Sequence, residues 1–294
     1  MIFIFGFAFS LSLLLSLAVR RLSLGTGAVD LPDFRRKLNT VPVPRLGGVA
    51  FFLAFFLSLA LNSLFGTGFS ASDSAIVSAC GVSLLFGVAD DFFNLGAWAK
   101  LMLQIASALF ALTMLPISAP LVPSLAFTVL MMNAYNFIDG LDGLCVGQSL
   151  CALLFTALIP LLFLNTGMGL TPILLFFSLL GFLPLNAHPA SLYMGECGSA
   201  TLGLALAMMT LSLPDELGLL AVAFSLIPLF DTLSAPIRRI LRGRSPIAPD
   251  RGHLHHRLLS LGHSQITATS LLTLLSLALS LTALLIASRL SYII

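Results

Sequence analysis

The feature that most limits what this chain can fold into is the grouping of its apolar residues. They fall into separate blocks, each long enough, or nearly so, to cross a hydrocarbon layer of ~30 Å, which takes about 20 helical residues. Ten such blocks can be read, roughly over 2–19, 47–65, 74–89, 101–117, 121–138, 144–164, 169–186, 198–213, 217–235 and 267–287. Composition agrees: 58% of the 294 residues are hydrophobic and 9% charged, whereas about a quarter of a soluble domain is charged. A soluble enzyme, a disordered chain and a coiled coil are excluded, and the lack of alternating strand patterns argues against a membrane β-barrel. The expected fold is all-α: a polytopic membrane bundle of about ten transmembrane helices, forming one integral membrane domain over 1–294. The third and eighth blocks are short, which suggests functional groups at their ends. No internal repeat is visible.

Other classes fall away on charge and cysteine usage. A net charge of +2, with basic residues not interleaved with aromatics, gives no reason to expect nucleic acid. Cys80, Cys145, Cys151 and Cys197 are scattered and read as packing thiols. Arg20 and Arg21 follow the first apolar block, whereas a signal peptide carries its positive charge in front, so an uncleaved first span is expected.

Sidedness follows from the loops. All of the fourteen Lys and Arg residues except Arg289 fall in 20–46, 90–100, 139–143, 187–197 and 236–266 or at their edges. By the positive-inside rule these loops are cytoplasmic, and both termini are expected outside. Every unusual polar cluster lies on that same side, while 66–73, 118–120, 165–168 and 214–216 are short and plain. An active site on the cytoplasmic face is the expectation.

Asp90 and Asp91 end the third block. A helix C-terminus disfavours anions, and a carboxylate at membrane depth costs roughly 2.5–3.5 kcal/mol, so a cation such as a metal or Lys100 should compensate them. On a helix the two side chains point about 100° apart, which suggests different jobs. Asn133, Asn136, Asp139 and Asp142 recur every three positions, and capping a loop explains one or two such residues, hardly four. Gly140 and Gly143 let the backbone leave the helix and aim the later carboxylates elsewhere. Amide and carboxylate oxygens suit Mg²⁺, which shares its shell with waters and substrate phosphates. Glu196, between glycines just before the eighth span, is a candidate metal ligand.

The last cytoplasmic loop carries Asp231, Arg238, Arg239, Arg251, His253, His255 and His256. No cysteine or free carboxylate stands at zinc spacing, so imidazoles with arginines read as a cradle for phosphates. His188 and His263 are isolated and read as structural. Together the clusters suggest phosphoryl transfer, in which a protein positions phosphates and neutralises their charge, on a lipid substrate.

These motifs, in this order, resemble the polyprenyl-phosphate N-acetylhexosamine-1-phosphate transferases, glycosyltransferase family 4 in the bacterial usage. The resemblance begins with Arg36-Lys37-Leu-Asn39-Thr-Val-Pro42-Val-Pro44-Arg45-Leu-Gly47-Gly48 and runs through Asp90-Asp91, Lys100 with Gln104, the 133–144 stretch, Gly195 to Ser199, and Phe230-Asp231-Thr232. It ends with the His-x-His-His loop, whose form is similar to the undecaprenyl-phosphate GlcNAc-1-phosphate transferase branch. The resemblance implies reaction of UDP-GlcNAc with undecaprenyl phosphate to give lipid-diphosphate-GlcNAc and UMP, with Mg²⁺ (or Mn²⁺) as cofactor, in the plasma (inner) membrane. It implies Asp90 as the group that deprotonates or orients the lipid phosphate, with Asp91 in support and Asp139 in the catalytic motif without an assigned role. Asn136 and Glu196 fall at metal-ligand positions and Asp142 at a nucleotide contact. Lys100, Asp231, Arg251, His253, His255 and His256 are implied in holding substrate.

Two positions depart from the family pattern: Glu196 stands where Asp is usual, and Asn39 where His is frequent. The phospho-MurNAc-pentapeptide transferase branch is the second reading. A transporter would need polar residues spread through the spans toward both faces, and a non-catalytic scaffold is favoured only by Glu196. The polysaccharide pathway, and whether the protein pairs as a homodimer, stay open.

Overall fold

The computed structural model describes residues 2–31, 41–67, 70–115, 119–166, 169–243, 245 and 252–290. Among these described residues ten helical rods stand at the ten expected places: α1 (Ile2–Thr26), α2 (Gly47–Asn62), α3 (Ala71–Phe93), α4 (Ala97–Met114), α5 (Leu121–Ile138), α6 (Leu144–Phe163), α7 (Leu170–Asn186) and α8 (Gly195–Leu211), then α9 (Asp215–Val222) continued by α10 (Leu226–Leu241), and finally α12 (Gln265–Leu290). A short helix, α11 (Leu254–Ser260), precedes the last rod. Eight of the rods are long and apolar enough to cross a membrane. The other two, α7 and α8, are 17 residues each. Helices are what an apolar chain must form in lipid, because each helix satisfies its own backbone hydrogen bonds. The protein is a polytopic helical membrane protein.

The structure corrects several boundaries. The third span is not short: α3 runs 23 residues and carries Asp90 and Asp91 inside its last turn. Its start is fixed by Ser70, which accepts from the Asp73 backbone N–H while Asp73 returns a bond to the Ser70 N–H, the reciprocal cap that satisfies two orphan donors. The ninth span is not one rod. A 3₁₀ turn over Ala223–Ser225 divides it, one turn before Pro228, whose missing N–H and ring interrupt regular helix there.

The centre of the bundle is α8, with fourteen of its seventeen residues buried. It packs against α3, α5 and α2, while α1 packs on α2 and α7, and α6 on α7 and α12. The one sheet among the described residues is an antiparallel pair, β1 (Val29–Asp30) and β2 (Val43–Pro44), between α1 and α2. The C-terminal ends of α3, α5 and α7 and the N-terminal ends of α4, α6 and α8 meet at one end of the bundle, and there the polar residues gather.

Candidate active site

Asp90 and Asp91 are both buried, at 5% and 2% exposure, and their different directions give them different partners. Asp90 forms an ion pair with Lys100 Nζ at 2.8 Å and accepts the Leu95 backbone N–H at 2.8 Å. Asp91 turns to the first turn of α8 and accepts the backbone N–H groups of Glu196 and Cys197, both at 3.0 Å. The charge that α3 disfavours at its own C-terminus is thus compensated by the positive N-terminal end of α8. Sequence reasoning anticipated Lys100 as a counter-ion and missed the helix terminus. Gly195, at φ +77°, makes the turn into α8, and a Cβ there would press on Asp91 Oδ2.

Lys100 also meets Glu196 Oε1 at 2.7 Å, so one ammonium bridges Asp90 and Glu196. The other Glu196 oxygen accepts from Asn136 Nδ2 at 3.1 Å, and Asn136 Oδ1 accepts from Ser199 at 3.1 Å. On the neighbouring turn of α5, Asn133 donates to Gln104 at 2.7 Å.

A cavity of about 340 Å³ opens beside this network, lined by Asp91, Asn136, Asp139, Asp142, Glu196 and His256 together with Asp30, Arg45, Asn186, Tyr193 and Gln265. A smaller one of about 30 Å³ lies between α3, α4, α5 and α8, against Asp90, Lys100, Gln104 and the apolar Phe86, Leu103 and Met132. Glu196 forms part of the wall of both. Asp139 caps the end of α5, where burial first, then the charges of Glu196, Asp91 and Asp142, push its pKa up to about 7. Tyr193 is pushed up by burial and by Asp142, Asp30 and Asp139. Five carboxylates, of Asp30, Asp91, Asp139, Asp142 and Glu196, line this one cavity, a lining chemically suited to a cation.

Gly143, at φ +74°, ends the turn after α5, and its N–H donates to Asn186 at 3.2 Å. Asp142 then points at the segment after α7, where it pairs with His188 Nδ1 at 2.8 Å and accepts the Ala190 N–H at 3.1 Å. His188 is therefore not isolated as the sequence suggested. Asn186 joins the two loops, since its Nδ2 donates to Leu192 O at 3.1 Å.

The His-bearing segment is fastened by Asp231 of α10, which is 1% exposed. Its two oxygens engage His253 Nδ1 at 2.9 Å and the Leu254 N–H at 2.8 Å. With both oxygens used inside the protein, Asp231 orients the cluster. The rings of His253 and His255 stack with centroids 5.8 Å apart, and His256 lies 4.3 Å from His255. His255 is buried, with its pKa lowered to about 3 by burial and then by His256; a Cβ on Gly140 would strike its Nε2. His256 is the member of the trio that reaches the large cavity. Arg251, like Arg35, Arg36, Lys37, Asn39 and Arg244, lies outside the described residues.

Among the described residues no three His, Cys, Asp or Glu side chains form a ready-made metal cage. The donor set nevertheless fits Mg²⁺, which takes one or two carboxylates and completes its shell with water and substrate phosphates. Hard oxygens from Asp91, Asn136, Asp139 and Glu196 line one cavity. Sequence reasoning did not place Asp30, Arg45, Asn186, Tyr193 or Gln265 at the site; only Arg45 carried a local signal, its position in the Pro-Arg-Leu-Gly-Gly run.

A helical membrane bundle with an acid-rich cavity at one end, a lysine joining two nearby acids and a histidine cluster beside it defines a polytopic membrane protein with a charged site at one end of its helices. A family model for glycosyl transferase family 4 matches residues 74–213. A decaprenyl-phosphate N-acetylglucosaminephosphotransferase of Mycolicibacterium smegmatis is 33% identical over 87% of this chain and 74% of its own length. A probable undecaprenyl-phosphate N-acetylglucosaminyl 1-phosphate transferase of Bacillus subtilis is 32% identical over 92% and 80%. A phospho-N-acetylmuramoyl-pentapeptide-transferase of Staphylococcus saprophyticus is 31% identical over a smaller share, 66% of this chain and 69% of its own. The chain belongs to glycosyltransferase family 4.

Proposed function

We propose that the protein transfers GlcNAc-1-phosphate from UDP-GlcNAc to undecaprenyl phosphate, releasing UMP and starting a lipid-linked cell-envelope polysaccharide. The observation that carries this reading is Lys100, which joins Asp90 and Glu196 where a polar cavity meets a cleft with apolar walls. The large cavity suits a nucleotide sugar, and the cleft suits the phosphate end of a lipid. Relatives named for polyprenyl-phosphate GlcNAc phosphate transfer match more of the chain than the muramoyl-pentapeptide relative does.

In this reading an oxygen of the lipid phosphate attacks the sugar-bearing phosphorus, and the bond to the UMP oxygen breaks. Lys100 holds the acceptor phosphate, and Asp90, fixed by Leu95 N–H and Lys100, takes its proton or aims its oxygen. Asp91 sets the position of α8 and with it Glu196. Asn136, Glu196 and Asp139 would hold Mg²⁺, which when bound supplies charge neutralisation for the diphosphate. Asp142, held by His188 and Ala190 N–H, is poised for the nucleotide. His256 faces the donor, while His253 and His255 set its place. The basic loops at the site end support a cytoplasmic site in the plasma (inner) membrane.

The test is transfer by purified protein from UDP-GlcNAc labelled in the β-phosphate. Labelled lipid, formed with UMP and abolished by chelation of Mg²⁺, supports the proposal. Release of UDP, or preference for UDP-MurNAc-pentapeptide, overturns it.

A further inference from the structure

We infer that Arg45 grips the diphosphate of the nucleotide sugar, a substrate contact that the motifs of the polar clusters did not include. The inference rests on the donor assigned above. Its first ground is position. Arg45 follows β2, and its backbone is tied on both sides: its N–H donates to Ala28 O at 3.0 Å and its carbonyl accepts from Ser23 at 2.8 Å. The strand is then fastened to the entry of α8. Tyr193 N–H donates to Pro44 O at 2.8 Å, Gly47 N–H to Tyr193 O at 2.9 Å, and Gly48 N–H to Met194 O at 2.8 Å. Gly48 lies so close to α8 that a Cβ would strike the Gly198 backbone. Arg45 therefore keeps a fixed place relative to Glu196, two residues beyond Met194.

The second ground is charge. Five carboxylates, of Asp30, Asp91, Asp139, Asp142 and Glu196, line the large cavity, and Arg45 is its one permanent cation among the described residues. An anionic ligand entering such a cavity needs positive charge beyond a single metal ion. The third ground is an unmet hydrogen bond. Arg45 Nε is buried without a partner, and a buried donor left unpaired is costly. A guanidinium fork matches phosphate oxygens two at a time, so a diphosphate satisfies both charge and geometry.

The competing role is general neutralisation of the acids, without contact. A lysine would preserve that role, because it keeps the charge and loses only the planar fork. The experiment is calorimetric titration of the full-length protein in nanodiscs with Mg²⁺, using UDP-GlcNAc, UMP and uridine as probes. For Arg45→Gln the expected loss of UDP-GlcNAc affinity is roughly 10- to 100-fold, the range of a charge-assisted hydrogen bond. The expected loss is smaller for UMP, and uridine binding is unchanged. Arg45→Lys should lie between parent and Arg45→Gln, and it carries the test alone if Arg45→Gln does not fold. Equal losses on UDP-GlcNAc and uridine, no loss, or a lysine variant equal to the parent overturns the inference. A parent that binds none of the three instead overturns the proposed donor.

Discussion

Asp90 and Asp91 are adjacent, yet their replacement by asparagine should damage the protein in different ways. Asp91 is 2% exposed and takes two N–H groups of the first turn of α8, those of Glu196 and Cys197. Hydrogen bonds to a charged acceptor contribute about 1.5–3 kcal/mol each, and a partly buried anion at a helix N-terminus adds up to ~2 kcal/mol. Asparagine keeps one acceptor oxygen and turns its NH₂ toward the second N–H, while sparing the protein the burial of a charge. Balancing these, Asp91→Asn should cost about 2–3 kcal/mol and lower the unfolding midpoint by roughly 5–10 °C. Asp90→Asn keeps an acceptor for the Leu95 N–H and leaves the part-exposed Lys100 paired with Glu196, so no buried charge is orphaned and its cost should be smaller than that of Asp91→Asn. Its turnover should fall about 10²- to 10⁴-fold with UDP-GlcNAc binding retained. All four cysteines are free and buried, so a thiol-reactive fluorophore reports unfolding as detergent-solubilised protein is heated. If Asp91→Asn melts with the parent, or Asp90→Asn melts below Asp91→Asn, the division of labour argued here is wrong.

Three further outcomes are expected. Glu196→Gln should abolish metal-dependent transfer, while Glu196→Asp should retain activity with preference moved toward Mn²⁺; a titration with both ions in which Glu196→Gln matches the parent rules Glu196 out as a ligand. Because the His255 pKa drops from 6.5 to about 3 on folding, the unfolded chain binds the extra proton between those values, so stability rises with pH across the window. Acidification to pH 5 should cost roughly 2 kcal/mol through this residue, and an acid limb of the melting curve that persists in His255→Gln would show that another group is responsible. Single cysteines at Asp215 and at His263 should be labelled from opposite faces of the membrane, and labelling from one face discards the proposed topology.

The rods were legible in the sequence because lipid leaves an apolar segment little choice but helix. The polar clusters were legible because charge at membrane depth stands out against its surroundings. What escaped was pairing between distant segments. Nothing near Asp91 signals that its counter-charge is a helix terminus 105 residues later, and nothing near Asp142 points to His188. The docking of Pro44 to Gly48 on the entry of α8 depends on backbone groups, which every residue carries and no motif records. The break at Ala223–Ser225 had a local cause in Pro228, but the apolar pattern runs through it and hid it.

The distance in sequence between Asp91 and its partners also sets a timetable for biosynthesis. At about 5–20 residues per second, the Glu196 and Cys197 amides emerge roughly 5–20 s after Asp91 does. Over that interval α3 ends in a carboxylate without its backbone partners, and Lys100 can serve Asp90 but not both acids. This end of the helix is expected to stay at the water border until α8 packs between α3 and α5. Chains stalled before residue 197 should leave position 91 open to water-soluble reagents, and chains stalled well beyond it should close that position off.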